Sequence, residues 1–218
     1  MPDGIRFPNE SESYRTARDE LLAAEAELRR QVEAVASLRR ELPPGGAVGD
    51  YTFQGVDGPV VLADLFADGQ DTLVVYSYMV APGQAPCPMC TAFLDSFDRT
   101  APHLARNVSL AVIAKAPYPE LAAIAEARGW RDLRLLSSGG TGFNADYNAE
   151  KGDDQWPMLH VFRKHDDGIR HCWSTELFYA PPEPGQNPRH MDMMWPLWNV
   201  LDATPGGRPD WYPALSYD

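Results

Sequence analysis

Two cysteines separated by two residues, Cys87-Pro88-Met89-Cys90, are the part of this chain best suited to do chemistry. A thiolate is a nucleophile, and a second thiol one helical turn away can close a disulfide on it. If Cys87 stands at a helix N-terminus, the unpaired backbone N–H groups and the positive end of the helix dipole stabilise its anion. Pro88 suits the first helical position, where a missing N–H costs no hydrogen bond. Cys87 would then attack a disulfide or a peroxide, and Cys90, further along and deeper, would resolve the intermediate by closing the Cys87–Cys90 bond. Two other uses of the pair stay open. One is half of a structural zinc site, although no second pair at knuckle spacing and no His-x-x-x-His is present, so no metal is expected. The other is a chance pair of buried cysteines. Cys172, beside His171 and Trp173, reads as a small apolar core residue, or else as a third thiol or, with His171, a metal ligand.

The dithiol needs a strand before it and a helix after it. Leu73 to Met79 is β-branched and aromatic without a charge, the pattern of a central strand covered on both faces. After the loop Ala81–Pro86, the run Thr91 to Ala105 places Phe93, Leu94, Phe97 and Leu104 at helical spacing. Val108 to Ala114 predicts a second buried strand, Tyr118 to Arg128 a helix closed by Gly129, and Leu133 to Leu136 a short strand. A strand–helix–strand order favours a right-handed parallel crossover. Following an irregular stretch from Ser137 to Gln155, Met158–Arg163 and Ile169–Thr175 flank Asp166-Asp167-Gly168 as an antiparallel hairpin. Trp156-Pro157 stands directly before that hairpin, where a proline fits an edge or a tight turn. Trp195 to Leu201 predicts a closing helix after the proline-rich stretch Pro181–Pro188, and the tail from Pro205 is loop-like.

Ahead of this core, Tyr51–Phe53 and Val60–Leu62 flank a turn holding Asp57-Gly58, a hairpin followed by a helical turn at Ala63–Phe66. Glu10 to Leu42 carries Leu21, Leu28, Val32, Val35 and Leu42 on one helical stripe, with Asn9 and Glu12 as a capping pair and Pro43-Pro44-Gly45-Gly46 as its stop. The stripe suits packing on the chain's own domain or on a second subunit, a homodimer being one such partner.

The chain has 218 residues and a net charge of −12, with 44% hydrophobic and 23% charged residues. Such a composition belongs to a folded globular domain, and its acidity disfavours nucleic-acid phosphates and anionic membranes. No apolar run approaches the roughly 18–20 residues that span a bilayer. The start Met1-Pro2-Asp3-Gly4-Ile5-Arg6 lacks a basic region followed by an apolar stretch, so a cytoplasmic protein is expected. Three cysteines are too few for a disulfide scaffold. Two minor motifs have bland readings beside the functional ones. His190-Met191-Asp192-Met193-Met194-Trp195 offers sulfur ligands that would suit Cu(I), or simple packing; Ser138-Gly139-Gly140-Thr141-Gly142 is glycine-rich but lacks a P-loop ending. His160, alternating with Met158 and Phe162, could face the dithiol or sit as a satisfied core histidine.

The order strand, dithiol, helix, strand, helix, proline, two antiparallel strands and closing helix is similar to the thioredoxin superfamily core, from about Val60 to Leu201. Val48–Phe53 through Gly58, Asp64-Leu65-Phe66 and Leu73–Met79 resemble the opening of alkyl hydroperoxide reductase and thiol-specific antioxidant proteins. Together with Cys87–Cys90, Ser137-Ser138, Phe143–Tyr147 and Leu201–Arg208, nearly the whole chain resembles a bacterial thioredoxin-like family of unknown function, whose members are expected to be dithiol–disulfide oxidoreductases. The resemblance implies an α/β thioredoxin fold with a peroxiredoxin-like N-terminal β-hairpin and a long N-terminal helix. It divides the chain into a helical extension at 1–44, a thioredoxin-like domain at 45–204 and a tail at 205–218.

The implied catalytic residues are Cys87 and Cys90, with Pro88, Met89, Trp156 and Pro157 against the substrate. In the superfamily a cis-proline at the place of Pro157 lies against the dithiol and orients the substrate backbone; an ordinary trans turn proline is the other reading. No cofactor is implied, because the electrons reside in the dithiol, and the implied partners are a disulfide or peroxide substrate and a thioredoxin or glutathione reductase system. The reaction stays open between thiol–disulfide exchange, thiol peroxidase activity and a non-enzymatic ligand- or partner-binding module. Three departures bear on that choice. Peroxiredoxins place a threonine or serine three residues, and a proline seven residues, before the peroxidatic cysteine, where this chain has Gln84 and Val80. Thioredoxins carry an acid in the strand preceding the dithiol, whereas Leu73–Met79 has none, so proton transfer needs another group or water. Pro88 directly after the first cysteine is more like glutaredoxins, which makes a glutathione mixed disulfide conceivable.

Overall fold

Strand β3, Thr72–Ser77, runs through the middle of the sheet because nothing in it needs water: Leu73, Val75 and Tyr76 are fully buried and its neighbours lie on both sides. In the computed structural model, residues 5–185, 191 and 193–217 are described. Contacts divide the chain into two compact units, Met1–Pro43 and Pro44–Asp218.

The first unit is one helix, α1 (Glu12–Arg40). Its cap is Ser11, whose hydroxyl accepts from the Tyr14 N–H at 3.1 Å, rather than the expected Asn9. Asn9 instead takes φ 62°, a left-handed conformation that asparagine tolerates, and so lies outside the capping geometry. Arg15 is buried among Glu10, Asp19 and the Ile5 carbonyl.

The second unit holds β1 (Thr52–Gly55), β2 (Gly58–Val61), β3, α2 (Pro88–Leu104), β4 (Ser109–Ala114), α3 (Tyr118–Arg128) and β5 (Leu135–Ser137). The stretch expected to be irregular contains a single helical turn, α4 (Phe143–Asp146), and a small hairpin of β6 (Glu150–Lys151) and β7 (Asp154–Gln155). Then come β8 (Met158–His165), β9 (Gly168–Ser174) and α5 (Pro196–Asp202).

The seven-stranded sheet has the order β2-β1-β5-β4-β3-β8-β9. Strands β3, β4 and β5 are parallel, and β8 and β9 are antiparallel to what precedes them. The block β4-β3-β8-β9, with a helix after β3 and another after β9, is the thioredoxin core, and β1, β2 and β5 extend it on one side. The two crossovers advance in the same direction, so helices of one hand fall on the same face. Accordingly Cys90, Phe93 and Leu94 of α2, Leu121 of α3 and Trp198 of α5 share one core cluster with Tyr76, Tyr78 and Leu159. The opposite face buries Phe53, Leu62, Leu65, Val75, Phe143 and Phe162. Among the described residues no helix is long and apolar enough to cross a membrane.

Candidate active site

The dithiol lies where β3 hands over to α2. Beyond Ser77 the chain stays pinned: the Tyr78 N–H donates to the Ile113 carbonyl at 2.8 Å, and the Cys87 N–H to the Met79 carbonyl at 3.1 Å. Cys87 is the N-cap of α2, with extended backbone at φ −60° and ψ 122°, and Pro88 opens the helix. Its Sγ accepts from the Cys90 N–H at 3.5 Å, so the cysteine itself fills the capping position. The Thr91 hydroxyl donates to the Cys87 carbonyl at 2.8 Å and lies 2.7 Å from the Tyr78 hydroxyl, fixing the first turn from below.

Two thiols with the same chemistry thereby acquire opposite characters. Cys87 is half-buried, and Cys90 is fully buried. A hydrogen bond from the Cys90 side chain, aided by the Cys90 and Met89 backbone N–H groups, outweighs burial and brings Cys87 down from 9.0 to about 6. Cys90 moves the other way, driven first by burial and then by the neighbouring Cys87. Cys87 is therefore the thiol that ionises first, and Cys90 the one held protonated.

The Trp156–Pro157 segment comes to the same end of the sheet, since Met158 pairs with Ser77 at the last rung of β3. Its peptide bond is trans, as is every one among the described residues, so the cis geometry implied by the superfamily resemblance is not adopted. The local reason lies in the neighbours. The Trp156 N–H is held by the Ala149 carbonyl at 2.8 Å and Met158 is already in the ladder, leaving an extended path that the intrinsically favoured trans bond serves. Tyr179, a residue the sequence reading did not single out, holds this segment. The Tyr179 hydroxyl donates to the Pro157 carbonyl at 3.0 Å, and its ring packs against Trp156 at a tilt of 33° with centroids 4.6 Å apart; burial, with a smaller effect from Cys90, pushes its pKa up. Met89 is half-buried against the same core cluster.

Tyr76 also went unnoticed, although its signal was present. Residues 74 and 76 share one parity of β3, Tyr78 just past its end continues it, and the dithiol follows that strand, so Tyr76 and Tyr78 share the cluster of the helix carrying Cys90. Tyr76 and Cys90 lie in one buried cluster, and each acts on the titration of the other.

His160 does not face the dithiol. It stands opposite Val75 in the ladder, and directly opposed residues of an antiparallel pair point to the same face, here the far one. Its Nδ1 lies 2.7 Å from the Ser174 hydroxyl and its Nε2 3.3 Å from that of Ser77. Burial keeps it neutral, lowering its pKa to about 3. Cys172 sits at a β-bulge, where Val161 pairs with Trp173 and Phe162 with His171, and its thiol points to the Arg170 carbonyl at 3.7 Å. Neither joins the dithiol, and no cluster of three or more metal-ligating side chains occurs among the described residues. Within the methionine-rich stretch, Met191 is buried in the cluster that holds Cys90, whereas Met193 and Met194 are exposed; His190 and Asp192 lie outside the described residues. Ser138 of the glycine-rich loop bonds Asn144 and the Ala114 carbonyl, a structural arrangement.

Among solved structures, the chain is similar to the peroxidoxin BcpB from Mycobacterium tuberculosis, with 21% identity, a TM-score of 0.46, and coverage of 62% of this chain and 85% of that one. A cysteine-to-serine mutant of PrxQ from Xylella fastidiosa shows 12% identity and a TM-score of 0.49, over 62% of this chain and 85% of that one. A peroxiredoxin-like protein from Aquifex aeolicus shows 10% identity and a TM-score of 0.45, over 62% and 76%. A search of curated protein sequences finds no match. Residues 6–216, nearly the entire chain, match a family profile, and the chain thus belongs to the family described as bacterial protein of unknown function (DUF899).

Proposed function

We propose that the protein is a thiol–disulfide oxidoreductase acting through Cys87 and Cys90. The observation that carries this reading is the split between the two thiols: an N-capping, half-buried Cys87 held well below an ordinary thiol, over a fully buried Cys90 held above one. Cys87 thiolate attacks one sulfur of a substrate disulfide, forming a mixed disulfide and expelling the first substrate thiolate. Cys90 then gives up its proton and attacks Cys87 Sγ. The Cys87–Cys90 bond forms, the bond from Cys87 to substrate breaks, and the second substrate thiol leaves carrying that proton. The substrate gains two electrons and the dithiol loses two; a thiol reductase partner of the thioredoxin or glutathione type returns them. Pro88, Met89, Trp156 and Pro157 would wall the substrate, with Tyr179 holding the last two in place. The same chemistry on a peroxide is the alternative.

The test is equilibration of Cys87–Cys90 against a glutathione buffer, with thiolate absorbance followed through pH on the Cys90→Ser protein. A reversible intramolecular disulfide and a Cys87 midpoint close to 6 are expected. A pair that will not close, or a Cys87 that titrates as free cysteine, would overturn the proposal. Consumption of hydrogen peroxide faster than by free thiol would move the substrate class to peroxides.

A further inference from the structure

In the exchange reaction just proposed, Cys90 must ionise while fully buried, and the strand ahead of it, β3, carries no acid. What that strand carries is Tyr76. It is fully buried, it sits opposite Leu159 of β8 and Val112 of β4, and both its strand neighbours fix its backbone. Its ring packs against Phe93, with centroids 5.1 Å apart and planes at 49°. Phe93 lies three residues after Cys90 on the same face of α2, so this contact places the Tyr76 ring beside the turn of helix that carries the thiol, in the same buried cluster.

Resting on that reading, we propose that Tyr76 is the group that makes Cys90 competent: its hydroxyl donates to the Cys90 sulfur as the thiol ionises and so sets the rate of disulfide closure. A phenol can do this in only one direction. Burial and the adjacent cysteines push Tyr76 far above its ordinary range, so it stays protonated and acts as a donor, never as a base. The Cys90 proton therefore goes to the departing substrate thiolate, which is bonded to Cys87 Sγ until the moment of attack. Tyr76 neither gains nor loses a proton in the step. Among the described residues, the other titratable groups acting on this centre are Cys87 at the helix start, Tyr78 just beyond β3 and Tyr179 beyond β9, with Arg128 of α3 acting on Tyr78.

The test uses the full chain, reduced, with Ellman's reagent as the disulfide. With Cys172 replaced by Ser, so that this third thiol releases no aryl thiolate of its own, the first equivalent reports attack by Cys87 and the second reports closure by Cys90. For Tyr76→Phe, which keeps the ring, the first phase should stay within about twofold. The second should slow roughly 10- to 100-fold, the effect of losing a hydrogen bond to a charged acceptor, and its pH midpoint should rise. Fluorotyrosine at position 76, a stronger donor of nearly the same shape, should speed the second phase at neutral pH; this holds even if the phenylalanine protein folds poorly. A second phase unchanged in rate and pH midpoint in both variants overturns the role of Tyr76 and leaves exchange standing. Release of only one equivalent by the Cys172→Ser protein that keeps Tyr76 overturns the exchange reaction itself.

Discussion

Cys90 acts on Cys87 more strongly than any backbone group does, and that order makes a sharp prediction. Cys90→Ala removes the side-chain donor and should raise the Cys87 midpoint from about 6 toward that of a free thiol. Cys90→Ser keeps a hydroxyl donor and should leave the midpoint close to its original place. Thiolate absorbance against pH on the two variants separates the cases; equal midpoints would show that the backbone N–H groups and dipole suffice. The same shift has a stability consequence. The native state favours the Cys87 anion, so this contribution is fully present above the unfolded thiol value near ~8.5 and is lost as pH falls through about 6. Cys90 works against stability at high pH, because burial disfavours its anion.

At the scale of elements, the geometry of the dithiol depends on α2 being held at several points, not only at its first turn. Asp98, fully buried on α2, accepts from the Arg131 and Asp132 N–H groups at 2.9 and 2.8 Å, and Asp95 accepts from Arg128 and from the Trp130 indole at 2.8 Å. Both carboxylates tie the dithiol helix to the end of α3, where Gly129 at φ 71° closes the helix in a left-handed cap. Asp98→Ala strands two backbone donors and should cost about 3 kcal/mol. Urea unfolding of reduced protein would read this as a lower midpoint at constant slope, and a loss below about 1 kcal/mol would show that water replaces the carboxylate. These anchors were invisible in the sequence, where Asp95 and Asp98 look like the polar face of an amphipathic helix. The helix itself, its proline start and its glycine-capped successor were legible from local residue types.

Across the whole molecule, the face away from the dithiol has its own polar core. His160 on β8 links Ser77 of β3 to Ser174 of β9, and Ser174 also meets His171 Nε2 at 2.7 Å. Because native His160 resists protonation until about 3 whereas the unfolded chain protonates near ~6.5, the unfolded state binds the extra proton between those values and stability falls with pH. This group alone should cost about 3 kcal/mol on going from pH 7 to pH 4. His160→Gln should flatten that slope in urea unfolding, and an unchanged slope would place acid sensitivity elsewhere. Several features of the protein were already determined by its sequence. The charge-free run before Cys87, the proline after it and the alternation beyond Pro157 specify the order of strands and helices, because periodicity and turn chemistry act over a few residues. Tertiary structure decided which face each side chain meets. His160, read as a candidate for the dithiol side, went to the opposite layer by the register of β8 on β3. Tyr76, read only as part of a charge-free central strand, was brought into the cluster of Cys90 by the same parity, and Tyr179 was carried to Pro157 from a different loop. Register and long-range burial are set by pairings between segments far apart in sequence, and burial is what pulls the two chemically identical thiols apart.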